Sequence, residues 1–272
     1  MRERDLRRGS ILVTGESSNA VLSYDFKTGA FTGNFASGGL SGPDGSAGPD
    51  GNLYVASYAS STVHKFNGTT GASMGLFIAA GTGGLSTPIG IAFGPDGNLY
   101  VGNRGTASIL KYNGSTGAFI GTFASGGGLS GPDCFYFAPD GKLYVSSRFS
   151  NQVIVYSGTT GAFVSVLVNG GGLNTPEGLV FDSAGKLLVV SRGTNTIRRY
   201  DPATGSFLGN WASGGSLNIP FGILIASDGK AYVTNVGDNS VLKFDGSGTA
   251  LGYFASPGSG GLSVPTAIVQ HP

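Results

Sequence analysis

Three arginines, Arg104, Arg148 and Arg192, stand at equivalent points of three successive stretches of the chain, and two of them follow a carboxylate by 15 residues: Asp133 before Arg148, and Glu177 before Arg192. Guanidinium forks match carboxylates in bidentate geometry, so the simplest chemistry is a pair of ion pairs on a crowded polar rim. Two other chemistries are open to the same groups. Asp44 and Glu16 have no equivalent arginine in their own stretches. Together with Asp133 and Glu177 they are candidate oxygen ligands of the kind Ca²⁺ or Mg²⁺ takes. The three arginines could instead grip a carboxylate, phosphate or sulfate, with Tyr58 and Phe221 in neighbouring slots as further ligand-binding candidates. Arg104 has Ile89 in the acidic slot of its own stretch. It is therefore expected to be the arginine most free to meet a ligand, while Arg148 and Arg192 are engaged by their acids.

Nucleophiles and bases are sparse. Cys134 follows Asp133 and occupies the slot that holds Gly45, Gly90, Gly178 and Gly222 elsewhere, so it reads as a small residue in a tight strand, not as a nucleophile. His64 aligns with Leu22, Leu110 and Ile154 inside a strand, where packing is the expectation. His271 is penultimate, and a frayed end is expected there. Asn67-Gly-Thr and Asn113-Gly-Ser match the glycosylation acceptor pattern. Both fall in a repeated turn where Asn-Gly has a conformational use, so they read as turns.

The elements that position these residues follow from an internal repeat. Leu53-Tyr-Val, Leu99-Tyr-Val, Leu143-Tyr-Val, Leu187-Leu-Val and Ala231-Tyr-Val recur at spacings of 46, 44, 44 and 44, with Ile11-Leu-Val lying 42 residues ahead of the first. Each unit reads the same way, with a Pro-opened run such as Pro88-Ile-Gly-Ile-Ala-Phe, a turn such as Pro95-Asp-Gly-Asn, a second run such as Leu99-Tyr-Val, a loop, a third run such as Ser108-Ile-Leu-Lys-Tyr, a turn such as Asn113-Gly-Ser-Thr-Gly and a fourth run. Asp-Gly and Thr-Gly turns between short β-branched and aromatic runs signal hairpins. The unit is a four-stranded antiparallel meander that cannot cover both its own apolar faces. Stacking of such units makes a six-bladed β-propeller. Eleven aromatics fill twelve equivalent sites on the third and fourth runs (Tyr24, Phe66, Tyr112, Tyr156, Tyr200 and Phe244; Phe35, Phe77, Phe123, Leu167, Trp211 and Phe254), as an inter-blade core requires. The chain enters on a second strand, and Pro265 to Gln270 match the first, so the C-terminal strand is expected to complete the N-terminal blade and close the ring. Residues 11–272 form one domain behind a charged tail, 1–10.

In a meander of this kind the fourth-to-first and second-to-third loops share one mouth of the central channel. Two slots per blade point at it, and these are where the repeats diverge. The first is the residue after the opening Pro (Asp44, Ile89, Asp133, Glu177, Phe221, Thr266). The second is the residue after the second strand (Glu16, Tyr58, Arg104, Arg148, Arg192, Val236).

Composition limits the function classes. Fifty glycines in 272 residues, in no three-residue period, are turn formers, and 17 Phe with 11 Tyr supply a large core. Sixteen basic against fifteen acidic residues give a net charge of +1, which argues against nucleic acid as a partner. No apolar run reaches the ~18 residues of a membrane-spanning helix. The single cysteine excludes an internal disulfide framework. The Lys-poor, Gly/Ser/Thr-rich composition suggests an extracellular or periplasmic protein, although no signal peptide is visible, and a monomer is expected.

The Pro-x-Gly opening, the Pro-Asp-Gly-Asn/Lys-Leu-Tyr-Val core and the Tyr/Phe-(Asn/Asp)-x-x-Thr-Gly turn resemble the NHL-repeat propellers and the streptogramin B lyase-like propellers over residues 11–272. The resemblance implies the propeller fold. For activity it implies either a binding scaffold, with a small anionic ligand, a glycan or a protein as partner, or a metal-dependent hydrolase or lyase using a histidine and acidic groups at the channel mouth. No histidine falls on either rim slot.

Overall fold

The computed structural model describes residues 9–214 and 216–271. Residues 1–8, most of the expected tail, lie outside the described residues. Twenty-four strands form six four-stranded antiparallel sheets, each a blade. The first blade joins β1 (Ser10–Gly15), β2 (Ala20–Asp25) and β3 (Phe31–Ser37) to the last strand of the chain. The second holds β4 (Pro43–Ala47), β5 (Leu53–Ser57), β6 (Thr62–Phe66) and β7 (Ser73–Ile78). The third holds β8 (Pro88–Phe93), β9 (Leu99–Asn103), β10 (Ser108–Tyr112) and β11 (Phe119–Ser125). The fourth runs through β12 (Pro132–Phe137), β13 (Lys142–Ser147), β14 (Gln152–Ser157) and β15 (Phe163–Asn169). The fifth has β16 (Pro176–Phe181), β17 (Leu187–Ser191), β18 (Thr196–Tyr200) and β19 (Phe207–Ser213). The sixth has β20 (Pro220–Ile225), β21 (Ala231–Asn235), β22 (Ser240–Phe244) and β23 (Ala250–Ala255), and β24 (Pro265–His271) returns to pair with β1. The ring closes as the sequence implies.

Two details of the ends differ from expectation. Gly9 and Ser10 belong to the blade: Gly9 accepts a hydrogen bond from the Phe26 amide at 3.2 Å, and Ser10 pairs with Asp25 and His271. His271 is accordingly not frayed. Strand pairing with Ser10 fixes its backbone, and its ring lies 5.2 Å from that of Phe35. Among the described residues no helix is long and apolar enough to cross a membrane.

The core is a set of seams between blades. In one, Tyr54, Val63 and Leu85 pack against Ile91, Val101 and Tyr112 of the next blade. The third-strand aromatics are all buried. Second-strand tyrosines bridge seams as well: the Tyr54 ring lies 4.8 Å from Phe77 in its own blade and 4.9 Å from Phe93 in the next, in edge-on geometry. Its hydroxyl donates to Asp50 at 2.9 Å, and Tyr100, Tyr144 and Tyr232 repeat that bond to the aspartate of their own turns, so each tyrosine ties a hairpin to a seam. Asn67 and Asn113 serve as turn residues, each accepting from two following amides.

At the axis the inner strands approach so closely that only glycine fits at three points: a β-carbon on Gly90 would collide with the Asp133 carbonyl, one on Gly178 with that of Phe221, and one on Gly222 with that of Thr266. Trp211, the only tryptophan, sits 9% exposed in a seam, 5.9 Å from Phe244. Trp211→Ala is expected to destabilise the fold by about 3 kcal/mol, and the native emission to be blue-shifted relative to the unfolded chain. An emission maximum unchanged by denaturant would contradict this packing.

Candidate functional site

The rim slots are held by the same bonds in every blade. The backbone amides of Glu16, Tyr58, Arg104, Arg148, Arg192 and Val236 donate to the carbonyls of Val264, Gly42, Thr87, Gly131, Thr175 and Ile219, the residues just before the opening prolines. A polar residue ending the second strand holds the same loop. Ser57, Asn103, Ser147, Ser191 and Asn235 each accept from its backbone at 2.7–3.0 Å. A residue in the left-handed region opens each third strand, and in four blades it is an asparagine (Asn19, Asn151, Asn195, Asn239) that accepts from the next blade's loop. Backbone pinning thus leaves side-chain identity at the rim free to vary.

In five of the six blades the inner strand departs from its partner just after the opening proline, and residues 89–90, 133–134, 177–178, 221–222 and 266–267 break the regular register. β4 keeps regular pairing, with Asp44 opposite Ala56, and Asp44 reaches the channel all the same. A cavity of about 390 Å³ results, lined by Asp44 and Glu16 on one side, Arg104, Arg148 and Arg192 on the other, and Tyr58 and Phe221 between. The volume is in the range of small-molecule sites.

Asp133 and Glu177 lie beneath this surface with no exposure, and the arginines bind them in a continuous arc. Arg104 donates to Asp133 at 2.5 Å; Arg148 lies 3.5 Å from Asp133 and 3.3 Å from Glu177; Arg192 donates to Glu177 at 3.2 Å. The two pairs inferred within single blades exist, but Arg104 is not the free arginine expected. The ring sets it over the acid of the following blade, a contact that comparing slots within one blade does not reveal. Arg192 is the least engaged: it has one carboxylate, 25% side-chain exposure against 16% and 19% for Arg104 and Arg148, and the Phe221 ring 5.9 Å away.

Phe149 is a residue that comparing the rim slots misses. Its exposed ring lies 5.7 Å from both the Arg104 and the Arg148 guanidinium, and Tyr58 lies 5.5 Å from Arg104. A signal was present: the slot after the second-strand rim residue holds Ser17, Ala59, Gly105, Gly193 and Gly237 in the other blades.

The carboxyl groups expected as cation ligands are not brought together. Among the described residues no three of His, Cys, Asp and Glu gather in a metal-sized group, and Asp133 and Glu177 are engaged by the arginines. His64 is buried in β6, bonded to Thr62 at 3.0 Å, and burial holds its imidazole below the usual range. Cys134 lies in a second channel cavity of about 300 Å³ below the mouth, among Gly90, Gly178 and Gly222, and burial pushes its thiol up. It is not activated as a nucleophile.

Asp44 lines both cavities and so marks the waist between them. Burial, then the Asp133 carboxylate, with Glu16 adding a little, push its carboxyl up to about 8 against the opposing Gly45 amide and Arg104. Its Oδ2 is buried without a protein partner. Burial, then Asp133, likewise push Glu177 well above the carboxylate range. An acid raised in this way holds its proton in the native state after the unfolded chain has lost it. Asp44 therefore stabilises the fold fully below its ordinary 3.8, and the contribution is lost as pH rises towards 8. Asp44→Asn is expected to flatten the fall in stability between about pH 5 and pH 8, by at most ~1.4 kcal/mol per pH unit, in denaturant titrations run across that range.

Fold and rim together define a six-bladed β-propeller with a polar, arginine-lined channel mouth. Similar solved structures share that fold: a chain of the nidogen/laminin complex (17% identity, TM-score 0.78, 97% of this chain and 98% of that one) and a protein of unknown function from Bacteroides caccae (14%, 0.74, 97% and 99%). A third is a catalytically inactive virginiamycin B lyase from Staphylococcus aureus with quinupristin (13%, 0.66, 93% and 86%). The resemblance to NHL-type and lyase-like propellers thus holds for the fold. No family model matches the chain, and no curated protein sequence matches it.

Proposed function

We propose that this protein is a binding propeller whose loop-rich channel mouth takes an anionic group, a carboxylate before all, on a small ligand or on the end of a glycan or protein. The observation that carries the reading is the arc of three guanidinium groups over two buried carboxyl groups. Even with both acids ionised the arc keeps a positive surplus, and it faces a cavity walled by Tyr58 and Phe221. Arginine held against aromatic rings is pre-ordered, so less side-chain freedom is lost when a carboxylate arrives. The neighbouring nidogen/laminin structure supports a propeller that binds a macromolecule, and the lyase structure with quinupristin supports one that binds a small molecule. Binding is preferred to metal-assisted hydrolase or lyase chemistry because the described acids form no cation group and His64 and His271 lie away from the mouth.

Calorimetric titration with succinate, phosphate and sulfate at low salt tests the proposal. Saturable binding that weakens with ionic strength is expected. Arg192→Ala is expected to weaken it about tenfold with little loss of stability, because Arg148 still reaches Glu177 at 3.3 Å. No saturable heat with any of the three anions would remove the reading.

A further inference from the structure

The mouth carries charge of two signs, arranged on opposite sides. Arg104, Arg148 and Arg192 come from three consecutive blades, whereas Glu16 follows β1 and Asp44 opens β4 across the same cavity. Each side also holds an atom whose hydrogen-bonding capacity no protein group uses. Arg104 Nε is buried without an acceptor, and Asp44 Oδ2 is buried without a donor, in a residue 6% exposed that lines the cavity. Buried polar atoms normally find partners, so two unsatisfied groups of opposite kind in one cavity point to a ligand that supplies both an acceptor and a donor.

We propose that the ligand of this mouth is a zwitterion of the α-amino acid class, its carboxylate against the arginine arc and its ammonium against Asp44 Oδ2 and Glu16. The inference rests on the anion-binding reading and adds the second charge. A simple dianion brings no cation to the side that holds Asp44 and Glu16, and would face Glu16 across the cavity. A simple amine would leave the arginine surplus unmatched. An amino acid satisfies both sides, and the aromatic walls leave room for its side chain.

The groups facing Asp44 are Glu16 after β1, Tyr58 after β5, Arg104 after β9, and Asp133 and Cys134 on β12. Burial first, then Asp133 and Glu16, keep its proton on, so an arriving ammonium must displace it. The Asp44 carboxylic acid becomes a carboxylate paired with the ammonium, and one proton passes to the buffer.

Succinate and L-aspartate, which differ by one ammonium group, are the matched probes, titrated by calorimetry in buffers of different ionisation enthalpy. At about pH 7, L-aspartate is expected to bind about tenfold tighter than succinate and to release close to one proton, the release fading above about pH 9. In Asp44→Asn the release should vanish and the affinity ratio fall towards one. Glu16→Gln, at an exposed position, should reduce the ratio with the release retained, which keeps the test available if Asp44→Asn does not fold. If succinate binds and L-aspartate binds no tighter, or releases no proton, the zwitterion is overturned while the anion site stands. If neither binds, both readings fail. If Mg²⁺ alone releases the same proton and competes with L-aspartate, Asp44 belongs to a cation site and the inference is overturned.

Discussion

Deleting residues 264–272 is expected to leave a chain that cannot hold its ring. β24 is the inner strand of the first blade, and its pairing with β1 runs from Ser10–His271 to Gly15–Pro265. Its loss would uncover an unpaired edge on β1 and open the seams where Ile268 packs with Tyr232 and Phe254, and where Val269 packs beside Leu12 and Phe66. The threonine cluster at the waist would go too. Thr266 bonds Thr14 at 2.8 Å, donates to the Pro43 carbonyl at 2.8 Å, and its own carbonyl accepts from Thr234 at 2.8 Å. A single large-to-small change in such a core costs about 2–5 kcal/mol, and whole domains are stable by only about 5–15 kcal/mol. The truncated chain should therefore melt far below the full chain or aggregate, as scanning calorimetry with light scattering would show. An unchanged melting midpoint would mean that the ring closes by other contacts.

Arg148→Ala is expected to be the most destabilising single change at the rim. Among the described residues Arg148 is the only arginine reaching both fully buried acids, so its removal weakens the compensation of two carboxyl groups at once. Breaking a buried ion pair from one side costs about 3 kcal/mol or more, whereas Arg192→Ala leaves Glu177 still facing Arg148. The deficit should shrink in acid. Without Arg148 the Glu177 carboxyl, already pushed up by burial and Asp133, is pushed further, so the variant gains stability relative to the wild type as pH falls and that group takes a proton. Parallel denaturant curves for the two single variants across pH check both the ranking and the sign. Equal losses for Arg148→Ala and Arg192→Ala would mean that the arc is not coupled.

The blades, their number, the closing strand and the twelve rim slots are legible in the sequence because each rests on local signals that recur from unit to unit: a Pro-opened run, a Gly-containing turn, a strand of the Leu-Tyr-Val kind. What the repeat conceals is contact between copies. Arg104 and Asp133 are 29 residues apart and in different slots of different blades, so alignment within the unit separates groups that the ring sets 2.5 Å apart. The cation set failed for the same reason. Asp133 and Glu177 look equivalent to Asp44 by slot, but only Asp44 is left without an arginine bonded to it, while the other two are sealed under the arc. His271 was misjudged from its position in the chain, since a terminal residue in a closing strand inherits the order of its partner.

Side-chain ¹⁵N–¹H spectra of arginine Nε groups during a succinate titration test the central claim most directly. Arg198 and Arg199 serve as internal controls, because they lie in β18, bonded to Tyr200 and Asp182 and not at the mouth. The result expected is a saturable shift confined to Arg104, Arg148 and Arg192, with the shifts of Arg104 and Arg148 reduced in Arg192→Ala at the same succinate concentration. Shifts that do not saturate, or that move Arg198 and Arg199 as far as the rim arginines, would contradict a binding site at the channel mouth.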